Sequence, residues 1–265
     1  FCLFLVFNFS LEGKREGEAF RHKTIMNLEL KSISVSVSDT PVVSGASLSV
    51  SSGDVALIMG PNGSGKSSLL SAIMGHPRFT VTGGSASLDG EDITALSVSE
   101  KARRGIFFSL QNLPAISGVS LSKLIVESVR AFGREIPSPL AFRGEVAARA
   151  KEFGFPEELL SRTVNGKLSG GEKKQMEMIQ LLALRPKCAI LDEIDSGVDV
   201  DVQKKIARAI AALRAEGTGF LIVSHHVGFA KMLLPNKTYL MKGGAVVREG
   251  DAKLIDEIAE KGFEK

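Results

Sequence analysis

The sequence predicts an α/β domain built on a mostly parallel sheet, with a helical lobe inserted into it. Three observations carry that expectation. The apolar run Val55–Met59 leads through a Gly-rich loop into a helix. Strand and helix patterns alternate from residue 171 to 234, as repeated βαβ units require. Between residues 112 and 168 the β signal gives way to helical patterning.

Each element follows from local patterning. Leu28, Leu30, Ile33, Val35 and Val37 alternate with polar residues, with one slip, so a half-buried strand is expected there and a second over 46–50. Val55–Met59 is apolar throughout, as befits a strand covered on both faces of a parallel sheet. Residues 60–66 read as a loop and 67–74 as a helix, stopped by Gly75 and Pro77. Strands are expected over Thr80–Leu88 and 105–109. Helices over 121–132 and 140–153 are separated by the breakers Pro137 and Pro139. There follow a helix over 171–184, a strand over 188–191, a helix over 199–215, a strand over 220–223 and a helix over 226–234. Two short strands, 238–241 and 245–249, and a C-terminal helix finish the domain. Such alternation favours a parallel sheet with right-handed crossovers.

Composition narrows the function class. The 265 residues suit one large domain rather than two. Charged residues make up 24% with a net charge of +3, which predicts neither a nucleic-acid stripe nor a polybasic membrane anchor. Cys2 and Cys188, at opposite ends, provide neither a disulfide framework nor a zinc site, and a reducing, cytoplasmic setting is expected. Cys188 reads as a small strand hydrophobe. The apolar residues 1–9 fall far short of the roughly 20 needed to span a bilayer and lack a preceding basic region, so no direct membrane insertion is expected. Met26 opens the strand pattern and reads as the natural start, which leaves 1–25 as a disordered or mis-assigned extension.

The chemistry begins at Gly60, Pro61, Asn62, Gly63, Ser64, Gly65, Lys66 and Ser67, a phosphate-binding loop between the strand and helix that such a loop demands. Its glycines let backbone N–H groups turn toward phosphate oxygens, beside a helix N-terminus at Ser67 and Ser68 that favours anions. Lys66 reaches the β and γ phosphates, and Ser67 suits Mg2+. A second carboxylate site is expected at another strand end. Asp192 suits the metal and Glu193, turned the other way, suits the attacking water. Leu168, Ser169, Gly170, Gly171 and Glu172 read both as a capping box at a helix start and as a place of close backbone approach to an anion.

At these residues the sequence resembles the ABC ATPase family, whose signature is LSGGE or LSGGQ. The resemblance covers about residues 26–265. It implies a P-loop NTPase fold of ABC type: a mostly parallel sheet core, an antiparallel β subdomain, and a helical subdomain at about 112–168. It also implies ATP hydrolysis by a head-to-tail pair of subunits, with the signature of one facing the γ phosphate held by the other. By the same resemblance Gln111 contacts Mg2+ and reports nucleotide state, Asp199 lies at the subunit boundary, and His225 bonds the γ phosphate. Asp199 is an equally good N-cap. His225 is preferred to the adjacent His226 because it directly follows Ser224. No aromatic residue stands near Val37 to stack on adenine, so preference for ATP rests on the resemblance.

Within that family four separated segments resemble SufC, the ATPase of the SUF iron–sulfur cluster assembly machinery. They are the phosphate loop, Pro114 to Ser120, Gly171 to Lys174, and Asp192 to Asp199, where transporter subunits usually carry proline after the glutamate. Gln175, Ile194 and Ser117 depart from the SufC pattern, and none of these removes a catalytic group. The resemblance implies SufB-like and SufD-like scaffold partners docked on the helical subdomain, ATP-dependent homodimer-like pairing, and no nucleic acid. The alternative is the nucleotide-binding subunit of a membrane transporter. A DNA-repair or translation module would call for a coiled-coil or zinc insertion, or a second ATPase half, and none is seen.

Overall fold

The computed structural model describes residues 26–109, 118–164 and 168–263. Residues 1–25, Gln111 and Pro114 to Ser117 lie outside them. The chain runs β1 (Asn27–Val37), β2 (Thr40–Ser51), β3 (Val55–Met59), α1 (Lys66–Met74), β4 (Thr80–Leu88), β5 (Glu91–Asp92), α2 (Val98–Arg103) and β6 (Ile106–Ser109). Then come α3 (Leu121–Ala131), α4 (Pro139–Glu152), a 3-10 turn (Glu157–Ser161) and α5 (Gly170–Leu184). The last part is β7 (Cys188–Asp192), α6 (Val200–Ala215), β8 (Gly219–Val223), α7 (Val227–Leu233), β9 (Lys237–Lys242), β10 (Ala245–Gly250) and α8 (Lys253–Lys261).

Two sheets form. The central one has the order β10-β9-β3-β8-β7-β6 and the smaller one β2-β1-β4-β5. The central sheet is parallel from β9 to β6, with β10 antiparallel at its edge, and β1 pairs β2 and β4 antiparallel. The slip in the β1 pattern is a bulge. Ser32 takes a left-handed φ of 49°, and the pairing jumps from Leu30↔Leu48 to Ile33↔Ala46. The extra residue rotates the strand so that Leu28, Leu30, Ile33 and Val35 are all buried.

Alternate residues of β3 serve two cores. Ala56 and Ile58 face the antiparallel sheet and α1, while Val55, Leu57 and Met59 face the helices from α3 onward. Pro139, expected to break a helix, is the first residue of α4, where its fixed φ suits the opening turn. Helix α2 was not anticipated. Its Ser97 and Glu100 form a capping box, with Glu100 N donating to Ser97 Oγ at 3.3 Å and Ser97 N to Glu100 Oε2 at 2.8 Å.

Register places the site. Ile58 and Asp192 both pair with Val223, so the loops after β3, β7 and β8 leave the sheet together at its carboxyl edge.

Candidate nucleotide site

The loop after β3 is packed tightly against backbone. A Cβ on Gly60 would lie 2.0 Å from the Met241 carbonyl oxygen, and one on Gly65 2.8 Å from that of Val42. Gly63 has room but holds φ 78°, a conformation that favours glycine. Pro61 and Ser68 are partly exposed, Asn62 and Gly63 are exposed, and Ser64 is buried. Lys66 opens α1, only 5% exposed. Its ammonium donates to the carbonyls of Gly60 (2.9 Å) and Pro61 (2.8 Å) and to Ser64 Oγ (3.4 Å). Burial holds its pKa below the usual lysine range, while Glu193 and Asp192 pull it back up.

Asp192 ends β7 and is buried. Ser67 Oγ donates to its Oδ1 at 3.1 Å. Burial pushes the Asp192 carboxyl up and Glu193 adds to that; the Ser67 hydroxyl, Lys174 and Lys66 oppose it.

Glu193 turns away from the strand through a left-handed φ of 52° while its N–H donates to Val223 O at 3.0 Å. The turn brings its Oε1 to 3.4 Å from His225 Nδ1. The neighbouring histidine goes elsewhere: His226 Nδ1 lies 2.9 Å from Asp195 Oδ2, which also accepts from Ser224 Oγ at 2.7 Å. Glu193 and His225, singled out separately in the sequence, thus meet. Asp195 as an anchor for the loop after β8 was missed, since an acidic residue in a loop gives no signal of its partners.

Ser169 caps α5: Glu172 N donates to its Oγ at 3.2 Å, and Ser169 N donates to Glu172 Oε2 at 2.8 Å. The backbone and hydroxyl of Ser169 hold the Glu172 carboxyl below the usual range. Gly170 and Gly171 show none of the crowding of the phosphate loop. Cβ atoms there would meet nothing nearer than Gly197 O at 3.8 Å and Val198 Cγ1 at 3.9 Å. Asp199 caps α6, accepting from Val202 N at 2.8 Å. Among the described residues, Ser67 meets Asp192 and Glu193 meets His225, and the charges of Asp192 and Glu193 both act on Lys66. No hydrogen bond or ion pair links Ser169, Gly170, Gly171 or Glu172 to residues 60–68. Gln111 lies outside the described residues.

The family model for the ABC transporter matches residues 43–196, which take in the phosphate loop, the 168–172 signature and the Asp192 and Glu193 pair. The chain belongs to the ABC ATPase family. It is 36% identical to Vegetative protein 296 of Bacillus subtilis (strain 168) over 89% of this chain and 92% of that protein. It is also 36% identical to a probable ATP-dependent transporter, SufC, of Escherichia coli (strain K12), over 89% and 97%. Among solved structures, the ADP conformation of MJ1267, an ATP-binding cassette of an ABC transporter, superposes with a TM-score of 0.70 at 27% identity over 89% of this chain and 95% of that one. As an ABC ATPase the chain binds ATP and hydrolyses it. No helix among the described residues is long and apolar enough to cross a membrane.

Proposed function

We propose that this ABC ATPase is the ATP-hydrolysing subunit of a SUF iron–sulfur cluster assembly complex, driving conformational change in SufB-like and SufD-like scaffold partners docked on its helical subdomain. The observation that carries the reading is the backbone at Glu193. Transporter subunits usually place proline at the next position, which would push residue 193 toward extended backbone. Here Ile194 leaves Glu193 free to take φ 52° and meet His225. The absence of that proline, the feature that sets this segment beside SufC although Ile194 itself is not the usual SufC residue, thus falls next to the carboxylate at the centre of the site. Burial pushes the Cys188 thiol up to about 12 and seals it inside β7, which supports a division of labour with cluster ligands on the scaffolds.

In this reading the loop amides and Lys66 bind the ATP phosphates, Glu193 orients the attacking water, and His225 sits beside the transferring group. The hydroxyl of Ser67 and the carboxylate of Asp192, hard oxygen donors already side by side, fit Mg2+ and would hold it with Gln111. The ion would supply charge neutralisation on the phosphate oxygens. Gly170 and Gly171 support pairing of two ATPase subunits. Glycine weakens a helix by up to about 1 kcal/mol relative to alanine, and nothing among the described residues crowds either position. Close approach by a second subunit's nucleotide supplies a reason for both. Asp199 belongs to the same boundary, and the setting is cytoplasmic.

The test is affinity isolation of the chain from cytosolic and membrane fractions of its native cell, with co-purifying proteins identified by mass spectrometry. Soluble Cys-bearing scaffold proteins support the assembly reading. Polytopic membrane proteins would replace it with the second reading, a transporter motor, which the ABC transporter family match and the likeness to transporter cassettes favour.

A further inference from the structure

One buried ion pair has no part in the scheme above. Glu177, in the middle of α5, is 4% exposed, and its Oε2 accepts from Ser109 Oγ at 2.8 Å. The same oxygen lies 3.5 Å from the ammonium of Lys174, one turn back on the same helix face and also buried. Burial pushes the Glu177 carboxyl up, and Lys174 and Ser109 oppose that shift.

The position of this pair matters. Ser109 is the last residue of β6 and pairs with Leu191, directly before Asp192. Two residues beyond Ser109 is Gln111. The charge on Lys174 also acts on Asp192, helping to hold its carboxyl down. Helix α5 itself begins at Gly170, inside the signature. The Glu177 carboxylate therefore ties the signature helix to the carboxyl end of β6, and the Lys174 charge beside it acts on Asp192 at the end of β7. Burying both charges costs several kcal/mol, and apolar side chains of like volume are often as stable or more so. Around the pair this stretch of α5 is interior, apolar at Met176, Met178, Ile179, Leu181 and Leu182, with one uncharged polar residue, Gln180, whose Nε2 donates to Met176 O at 3.4 Å. Stability alone gives no reason for an ion pair on the face toward the site.

We propose that Glu177, with Lys174, is a positioning residue for ATP turnover, locking the signature helix to Ser109, which pairs with Leu191 directly before Asp192, so that this sheet edge and the helix move as one unit. It touches no reacting atom in this proposal. It keeps the carboxyl end of β6, at Ser109, in register with the signature helix.

The test is steady-state ATP hydrolysis by the full chain, with thermal unfolding measured alongside. The double variant Lys174→Met/Glu177→Leu exchanges the pair for apolar side chains. The expected result is a Tm close to that of the parent, the relief of two buried charges being offset by the Ser109 hydroxyl left unpaired, with a kcat lowered about tenfold and a KM for ATP within about twofold. Ser109→Ala, which keeps the ion pair and removes one hydrogen bond, is expected to lower kcat about threefold at unchanged KM, with a lowered Tm because the buried carboxylate loses its hydroxyl donor. A folded double variant with parental kcat, or one whose loss lies wholly in KM, overturns the proposal. Should the double variant not fold, Ser109→Ala decides: parental kcat overturns the proposal and the threefold loss upholds it.

Discussion

The hydroxyl of Ser67 donates to Oδ1 of Asp192 at 3.1 Å, joining residues 125 positions apart. The bond brings the phosphate-loop helix and the end of β7 to one point, and both oxygens are donors of the type that hard cations take. Ser67→Ala is expected to raise the Mg2+ concentration for half-maximal ATP turnover about tenfold or more, with a smaller effect on nucleotide binding without the metal. An unchanged Mg2+ requirement would remove Ser67 from the metal site.

Lys66 is held over the phosphate loop by the carbonyls of Gly60 and Pro61. Its ammonium is the buried positive charge of that loop. Lys66→Ala is expected to weaken ATP binding about tenfold or more, read by calorimetry or by displacement of a fluorescent nucleotide. Undiminished affinity would contradict the phosphate-loop assignment.

Gly171 has space for a Cβ and no left-handed backbone to protect. Gly171→Ala is expected to leave stability unchanged or raise it by up to about 1 kcal/mol. Turnover should nevertheless fall, because the added methyl projects where the paired subunit's nucleotide approaches. Chemical denaturation and ATPase rate, measured on the same preparation, check the two halves. A stable variant with full activity would leave the glycine without its proposed role.

Lys101 offers a pH test away from the site. Its ammonium is buried beneath α1, donating to Ile73 O at 2.6 Å and Thr94 O at 3.4 Å. Burial lowers its pKa from 10.5 to about 8, with Asp92 and Glu100 opposing the shift. Between those values the unfolded chain holds the proton more often than the folded one, so this residue's contribution to stability rises with pH across the window. Relative to Lys101→Met, the parent is expected to gain up to about 3 kcal/mol between the two ends of the window, read from denaturant midpoints. A difference that does not change with pH would contradict the shift.

Patterns confined to a few neighbouring residues were legible in the sequence. The bounds of β3 and β4 follow from apolar runs and alternation, and the loop from Gly60 to Ser67 is carried by glycines whose crowding the structure makes plain. The bulge at Ser32 was visible only as a slip, because alternation does not say which residue absorbs it. Pro139 read as a breaker because a proline that opens a helix and one that ends a helix look alike until the cap at Ser138 is found. Helix α2 did have a local signal, Ser97 with Glu100, but the segment is too short for a helical apolar period. The Lys174–Glu177 pair has a helical i,i+3 spacing, but the Ser109 partner of Glu177 and the partners of Asp195 and His225 depend on separate segments meeting at the sheet edge, and no spacing within the chain encodes those contacts.

The central claim, that Glu193 drives hydrolysis in a nucleotide site built by Lys66, Ser67 and Asp192, is tested most directly by Glu193→Gln. ATP affinity and turnover should be measured together on that variant. Affinity is expected to stay within about threefold of the parent and turnover to fall by about 100-fold or more. Turnover close to that of the parent, with ATP still bound, would contradict it.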